Sequence, residues 1–225
     1  MQKSKKIKIL LIIVLISMFS VIPNLLINIQ RNIVIPIGEK NPNEIINTRP
    51  PQDSSIYYED TTGFAHGVYV SGDYAYVADY DSGLAVIDIS DPTNPGTPVY
   101  EDTTGFAQGI YVSGDYAYVA DYDSGLAVID ISDPTNPGTP VYEDTTGFAQ
   151  GIYVSGDYAY VADWSSGLAV IDISDPTNPG TPIYEDTTEW AWSVYVSGDY
   201  AYMADDVSGL AVIDISDPTN PGTPV

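Results

Sequence analysis

The sequence predicts an all-β fold, a β-propeller built from four-stranded antiparallel blades. Three observations predict it: four nearly identical 42-residue repeats, short apolar segments rich in β-branched and aromatic residues, and turn residues between those segments. The repeat is easiest to see at Gly72, Gly114, Gly156 and Gly198, which open the same GDYAY string. A period of about 40 to 50 residues that contains four short strands is typical of propeller blades.

Each repeat divides into four strand-like segments, which read VYVS, YAYVAD, GLAVIDIS and PVYED in the first copy. Gly72 and Asp73 predict a tight turn after the first strand, and residues 79–83 predict the turn from the second strand to the third. The string SDPTNPGTP must be a loop between the third and fourth strands, because its prolines exclude helix. The third segment is apolar on both faces, as expected for sheets that pack face to face. A solenoid is the alternative architecture, although β-helix coils usually have shorter repeats.

The sequence is compatible with two arrangements of the repeats, a closed ring and a fragment of a larger propeller. Residues 57–62 read YYEDTT, which matches the fourth-strand string of the later copies but precedes the first copy. This segment could complete the last blade and close a four-bladed ring. Alternatively, the repeats are a fragment of a larger propeller, and an unclosed arc would expose a sheet edge that promotes association.

The composition of the first 54 residues indicates that they form an export segment followed by a linker. Four lysines between residues 3 and 8 precede an apolar run over residues 9–22, which is typical of a signal peptide. Extended to residue 27, the run approaches the roughly 20 residues that cross a bilayer, with its positive flank in the cytoplasm. Residues 1–27 are therefore a signal peptide or a membrane anchor, and residues 28–54, which contain four prolines, are a linker. We expect residues 55–225 to lie outside the cell, either secreted or on its surface, with membrane contact only through the N-terminal segment.

Charge is distributed unevenly along the chain. All seven Lys and Arg residues precede residue 50, whereas only Glu39 and Glu44 of the 31 acidic residues do. An acidic domain repels the phosphate backbone, so we expect no nucleic-acid partner. The absence of cysteine excludes disulfides and thiolate metal sites.

The repeat string itself is distinctive. Residues 67–95 read GVYVSGDYAYVADYDSGLAVIDISDPTNP, and this string resembles the LVIVD repeat family of surface-associated archaeal and bacterial β-propellers. The resemblance covers residues 55–225, although Met203 replaces the valine of the YVAD string in the last copy. It implies a propeller fold and a secreted or cell-surface location, and it implies no defined biochemical activity.

Two loops differ among the copies and predict the binding site. The loop between fourth and first strands reads GFAHG, GFAQG, GFAQG and then EWAWS, and the loop between second and third strands also changes its aromatic residue. Both loops emerge on the same face of a propeller. An acidic, aromatic face suits sugars, through ring stacking and hydroxyl hydrogen bonds, or a cationic protein. The predicted ligand-binding residues are Trp164, Trp190, Trp192, Tyr80, Tyr122 and His66. The alternative is neutral drift in exposed loops.

Acidic turns between second and third strands are candidate metal sites. Asp79 and Asp81 in the first copy, and Asp121 and Asp123 in the second, flank tight glycine-containing turns of the kind that can coordinate Ca²⁺. The turns lack the third oxygen ligand and the distant glutamate of an EF-hand loop. A purely structural turn is the alternative.

A further aspartate recurs in the IDIS string of each third segment, in the middle of the predicted blade. It is Asp88, Asp130, Asp172 and Asp214 in the four copies. Because the strand is otherwise apolar, we expect these carboxylates to be buried within the blade. The domain has no Lys or Arg to form a salt bridge with them, so we expect them to brace the following loop through hydrogen bonds to its backbone.

The sequence contains no assembled catalytic motif. His66 is the only histidine, and no nucleophile motif accompanies it. We therefore expect a non-catalytic binding or adhesion module that recognises an extracellular protein or polysaccharide, with no cofactor and with Ca²⁺ as the one candidate ion. The alternative is a carboxylate- or metal-dependent hydrolase that acts on extracellular glycans.

Overall fold

The computed structural model describes residues 56–225. The predicted export segment, residues 1–27, and the predicted linker, residues 28–54, lie outside the described residues. Within the described part of the chain, the only helical element is a three-residue 3₁₀ turn at Asp206–Ser208, and no helix there has the length and hydropathy to cross a membrane. The rest is strand and loop, as the sequence predicts.

Fifteen strands form four antiparallel sheets, one for each repeat. The first sheet contains β1 (Gly67–Ser71), β2 (Tyr74–Ala78), β3 (Leu84–Asp88) and β4 (Val99–Glu101). The second contains β5 (Gly109–Ser113), β6 (Tyr116–Ala120), β7 (Leu126–Asp130) and β8 (Val141–Glu143). The third contains β9 (Gly151–Ser155), β10 (Tyr158–Ala162), β11 (Leu168–Asp172) and β12 (Ile183–Glu185). The fourth contains β13 (Ala191–Ser197), β14 (Tyr200–Asp205) and β15 (Leu210–Asp214).

Strands follow one another in chain order within each sheet, as successive hairpins. The predicted tight turn joins β1 to β2 at Gly72, whose φ of 58° lies in the left-handed region that glycine tolerates. The proline-rich loop joins β3 to β4, where Val86 pairs with Val99. The predicted strand and loop assignments are therefore confirmed.

The core lies between successive sheets. Leu84 and Val86 of the first sheet pack in one buried cluster with Ile110 and Val112 of the second. Equivalent clusters join the second sheet to the third and the third to the fourth. The middle strands are buried on both faces because each interior sheet has a neighbour on either side, which confirms face-to-face packing.

The four sheets do not close into a ring. Leu210 of the last sheet is 63% exposed, whereas Leu168, its equivalent one repeat earlier, is fully buried. Residues 57–62 do not pair with β15; instead Val225 N donates to Val212 O at 3.1 Å. The early segment stays at the first sheet because Thr61 and Gly63 both donate hydrogen bonds to Asp79. Of the two alternatives, the structure therefore has the open arc.

Candidate functional site

The two variable loops meet and align their aromatic rings, as predicted. We call the resulting set the aromatic row. It runs across all four repeats through Phe64, Tyr80, Phe106, Tyr122, Phe148, Trp164 and Trp190. Successive ring centroids lie between 4.4 and 6.2 Å apart, which is the separation of favourable aromatic pairs.

Backbone hydrogen bonds hold the row together. Tyr80 N donates to Ala107 O at 3.2 Å, and Ala107 N donates back to Tyr80 O at 3.0 Å. This bridge joins the β2–β3 turn of the first sheet to the loop that enters the second. The same bridge links Tyr122 to Ala149 and Trp164 to Ala191. The row therefore crosses every boundary between sheets.

The turn aromatics occupy an unfavourable backbone conformation. Tyr80, Tyr122 and Trp164 have φ values of 48°, 46° and 45°, in the left-handed region. Bulky residues are uncommon there, and such strain concentrates at functional sites. Asp206 takes the same position in the fourth repeat, with φ 42°. The aromatic row is thus built at a conformational cost that asparagine or glycine would reduce.

Ring exposure differs along the row. Tyr80 and Phe106 stack face to face with an interplanar angle of 7°, so each ring covers one face of the other. The two end rings are more open: Phe64 is 69% exposed and Trp190 is 46% exposed. The ends of the row therefore offer the most accessible apolar surface.

His66 and Trp192 have different relations to the row. His66 stacks on Tyr80 at 5.0 Å, and its Nδ1 lies 2.6 Å from Gln108 Oε1. Trp190 contacts Trp164 at 5.2 Å. Trp192 is 47% exposed but has no ring partner within the described residues, because it lies at a register shift between Ala191 and Ser193 in β13. Of the three predicted tryptophans, the structure brings Trp164 and Trp190 into ring contact and leaves Trp192 outside the row.

Three phenylalanines were not singled out from the sequence. Phe64, Phe106 and Phe148 form every second ring of the row over the first three repeats. The sequence does contain a signal for them, because every copy has an aromatic residue at this position of the loop, Phe in the first three and Trp190 in the fourth.

The acidic turns contain a buried carboxylate that braces the neighbouring loop. Asp121 is fully buried and accepts hydrogen bonds from Thr103 Oγ1 at 2.6 Å and Gly105 N at 2.9 Å. Asp163 has the same pair of donors one repeat later. Burial raises the pKa of both carboxyl groups above the ordinary aspartate value, although these hydrogen bonds oppose the shift. The recurring aspartate thus ties each sheet to the loop that enters it.

These contacts bear on the predicted calcium sites. Asp79 and Asp121 already accept two hydrogen bonds each, whereas Asp81 and Asp123 are exposed. Among residues 56–225, no group of three or more acidic or histidine side chains is placed to hold a metal ion. Calcium binding stays a prediction. A higher melting temperature in Ca²⁺ than in NaCl of equal ionic strength would support it.

The aspartate that ends each third strand is exposed, which corrects the expectation of burial. Asp88 and its equivalents lie at the solvent-exposed end of the strand, where the chain leaves the sheet. The expected bracing role is present: Ser90 N donates to Asp88 Oδ1 at 2.8 Å. Hydrogen bonds from Ser90 lower the pKa of Asp88 below the ordinary value.

Solved structures share this architecture at low sequence identity. The computationally designed Ika4 protein aligns over 72% of this chain and 98% of its own, with 10% identity and a TM-score of 0.57. The designed Ika8 protein aligns over 68% of this chain and 46% of its own, with 11% identity and a TM-score of 0.56. The β-propeller domain of Cps50 (Swd1) from Myceliophteria thermophila aligns over 71% and 54%, with 14% identity and a TM-score of 0.55. The chain thus spans about half the length of the last two, and at these identities the likeness shows the fold alone.

The repeat family agrees with the fold. No match was found among curated proteins. The family model described as the LVIVD repeat matches residues 62–98, 104–140, 146–182 and 190–223. These four segments cover more than half of the chain and correspond to the four sheets. The chain therefore belongs to the LVIVD repeat family.

Proposed function

We propose that this protein is a non-catalytic binding module displayed outside the cell, and that the aromatic row contacts an extracellular polysaccharide. The observation that carries the proposal is the row itself. Seven rings from four repeats align at one set of loops, and three of them occupy a strained backbone conformation. Strain of this kind persists where the surrounding structure fixes it, and it clusters at ligand sites.

The chemistry of the row favours a glycan over a nucleic acid. Aromatic surface packs against the apolar faces of sugar rings, and exposed carboxylates such as Asp81 and Asp123 accept hydrogen bonds from hydroxyl groups. No Lys or Arg follows residue 49, so the domain offers no cation for phosphate. A repeated row also suits a repeated ligand, since the first two turn aromatics, Tyr80 and Tyr122, make equivalent stacked pairs with Phe106 and Phe148. An extracellular protein with a cationic surface is the alternative ligand.

The burial and hydrogen bonding of the recurring turn aspartates favour a binding function over hydrolysis. A glycosidase needs two carboxyl groups that flank the substrate and can exchange protons with it. The Asp121 and Asp163 carboxyl groups are buried, and donors from the protein occupy both oxygens. We propose that these carboxyl groups stabilise the loops and do not react.

Two neighbouring tryptophans provide a matched test. Trp190 lies in the row and Trp192 lies outside it, yet their exposed fractions are 46% and 47%. Binding of the full-length protein to a panel of bacterial and archaeal polysaccharides identifies a ligand first. We then expect Trp190→Ala to weaken binding about tenfold or more, since an aromatic anchor contributes more than about 1.4 kcal/mol.

Trp192→Ala is the control and should bind like the unmodified protein. Equal losses in the two variants, or no loss in Trp190→Ala, would contradict a role for the row. Release of new reducing ends from the bound polysaccharide would instead favour the hydrolase.

A further inference from the structure

A second set of aromatic rings lies on the first strand of each sheet, separate from the aromatic row. We call Tyr69, Tyr111 and Tyr153 the tyrosine ladder; each is the third residue of its strand, β1, β5 or β9. The ring centroids of Tyr69 and Tyr111 lie 4.8 Å apart, and those of Tyr111 and Tyr153 lie 4.8 Å apart as well. The ladder therefore crosses two boundaries between sheets, and Tyr111 has a tyrosine neighbour on either side.

The backbone brings these rings together. The first strands of successive sheets approach closely where a glycine precedes the tyrosine by two residues. A Cβ at Gly67 would lie 3.3 Å from the Cα of Gly109, and a Cβ at Gly109 would lie 3.1 Å from the Cα of Gly151. Each ladder ring also packs against the buried cluster between its own sheet and the next. The rings are thus positioned by strands and core, and not by a loop.

The hydroxyl ends of the rings meet. The side chain of Tyr111 is hydrogen-bonded to the side chains of Tyr69 and Tyr153. The hydroxyl is the hydrogen-bonding group of a tyrosine side chain, so the ortho carbons on either side of each hydroxyl lie near the contact. The ring planes are inclined by 51° and 52°. Two phenols joined through ortho carbons also have closely spaced ring centres and inclined planes, so each ladder pair resembles the coupled product.

Tyr111 is in its neutral phenol form. Burial raises the pKa of Tyr111 well above the ordinary tyrosine value, and the hydrogen bonds with Tyr153 and Tyr69 raise it further. An oxidation of this ring must therefore remove a proton as well as an electron. The product of such a step is a phenoxyl radical, and its nearest phenols are the two other members of the ladder.

We propose that the tyrosine ladder is an oxidative cross-linking site, at which a diffusible one-electron oxidant couples Tyr111 to Tyr69 or to Tyr153. Two oxidant molecules each accept one electron, one from each ring, and the two phenolic protons pass to solvent. The two radicals then form a carbon–carbon bond between ortho carbons. The hydrogen on each bonded carbon moves as a proton to the oxygen of its ring, which restores both phenols. The product joins neighbouring sheets covalently in a chain that cannot form disulfides.

Proximity favours coupling inside one molecule. Groups held in contact react as if at a very high local concentration, whereas a radical on an isolated tyrosine must meet a second molecule. The formal net charge of −24 makes such encounters rare at low ionic strength, because the molecules repel one another. The chain also has no cysteine, whose thiolate is readily oxidised and would compete for the oxidant.

Oxidation of the full-length chain in dilute detergent solution at low ionic strength tests the proposal, with a photogenerated ruthenium(III) complex as the one-electron oxidant. Cleavage after glutamate then separates the repeats, because a glutamate recurs in each fourth-strand string, at Glu59, Glu101, Glu143 and Glu185. We expect fragment 102–143 to be joined through Tyr111 to fragment 60–101 or to fragment 144–185. The joined product should lack two hydrogen atoms and show the fluorescence of coupled tyrosines.

Two phenylalanine variants form a matched pair. Tyr111→Phe keeps a ring in both contacts but has no phenol to oxidise, so it should lose the joined fragments. Tyr116→Phe removes a tyrosine from the same sheet outside the ladder, where the nearest ring, Tyr118, lies 6.5 Å away. It should give the same joined fragments as the unmodified chain. Equal yields from Tyr111→Phe and the unmodified chain would overturn the proposal, and so would the absence of joined fragments from the unmodified chain.

Isotope labelling distinguishes coupling within one copy from coupling between copies. We expect an equal mixture of nitrogen-14 and nitrogen-15 chains to give joined fragments in which both halves carry the same isotope, because the ladder lies within one molecule. Products that combine the two isotopes as often as chance allows would show that separate molecules react. That result would contradict the ladder as the site of coupling.

Discussion

The aromatic residues of the β2–β3 type turns combine an unfavourable backbone conformation with favourable ring contacts. A left-handed conformation costs an ordinary residue about 1 to 2 kcal/mol, and Tyr122 takes φ 46°. Its ring contacts Phe148 at a centroid distance of 4.4 Å and Phe106 at 6.1 Å. An aromatic pair contributes about 0.5 to 1.5 kcal/mol beyond burial, so the two pairs together contribute an amount of the same order as the strain. The ring contacts of Tyr122 therefore compensate for its backbone conformation.

Replacing Tyr122 with Asn separates the two effects. Asparagine tolerates the left-handed region, so the variant relieves strain but removes both ring contacts. We expect the free energy of unfolding to change by less than about 1 kcal/mol, while polysaccharide binding falls severalfold. Urea denaturation and a binding isotherm on the same preparation measure the two quantities. A large loss of stability with unchanged binding would show that the ring is structural.

At the scale of the element, the fourth repeat departs from the other three in the loop that enters it. A Cβ at Gly147 would lie 2.1 Å from Asp163 O, so only glycine fits that conformation. Glu189 stands at the equivalent position, and the loop differs accordingly. Thr188 Oγ1 lies 3.4 Å from Asp205 Oδ2, and Asp205 Oδ1 is buried with no partner in the described structure.

Restoring glycine should repair this loop. With Glu189→Gly, the loop can adopt the conformation found at Gly147 and donate its backbone N–H to Asp205. We expect a gain of about 1 to 3 kcal/mol in stability, the usual cost of a buried unsatisfied polar group. Glu189→Ala is the control, because it removes the same charge but keeps a Cβ. An equal gain in both variants would point to charge relief instead of loop repair.

The strands could be predicted from the sequence because the same apolar segments and turn residues recur in every copy. Because the repeats agree, the tight turn at Gly72 and the burial of β3 on both faces could be predicted. The position of both variable loops on one face of the propeller could be predicted as well. The position of Trp192 could not be predicted, because it depends on a register shift in β13 that appears once. Burial of Asp88 was expected from its apolar neighbours, but the strand ends there and the side chain turns outward. Open ends were likewise undecided, because identical repeats carry no information about how many form a ring.

At the scale of the whole molecule, acidity works against folding at neutral pH. The formal net charge is −24, and the repeat domain contains no Lys or Arg to balance its carboxylates. Self-repulsion destabilises a compact domain, and salt reduces it. Buried carboxyl groups add a second contribution that salt does not screen. Burial raises the pKa of Asp121 and Asp163, and also that of Glu101 and Glu143.

Stability should therefore fall as the pH rises from mildly acidic to neutral. A group whose pKa is raised by folding stabilises the protein fully below its unfolded value, about 4 for a carboxyl group, and this stability is lost as the pH rises through the folded value. Exposed aspartates such as Asp88 and Asp130 have lowered pKa values. They therefore stabilise the folded protein above about pH 4, and this stabilisation is lost only as the pH falls through their folded pKa values.

We expect a higher melting temperature at about pH 5.5 than at about pH 7.5. In about 1 M NaCl, where the Debye length is near 3 Å, the difference should shrink but persist, because burial and not repulsion then causes it. A difference that vanishes in high salt would assign the whole effect to surface charge, and a melting temperature that rises with pH would contradict both contributions.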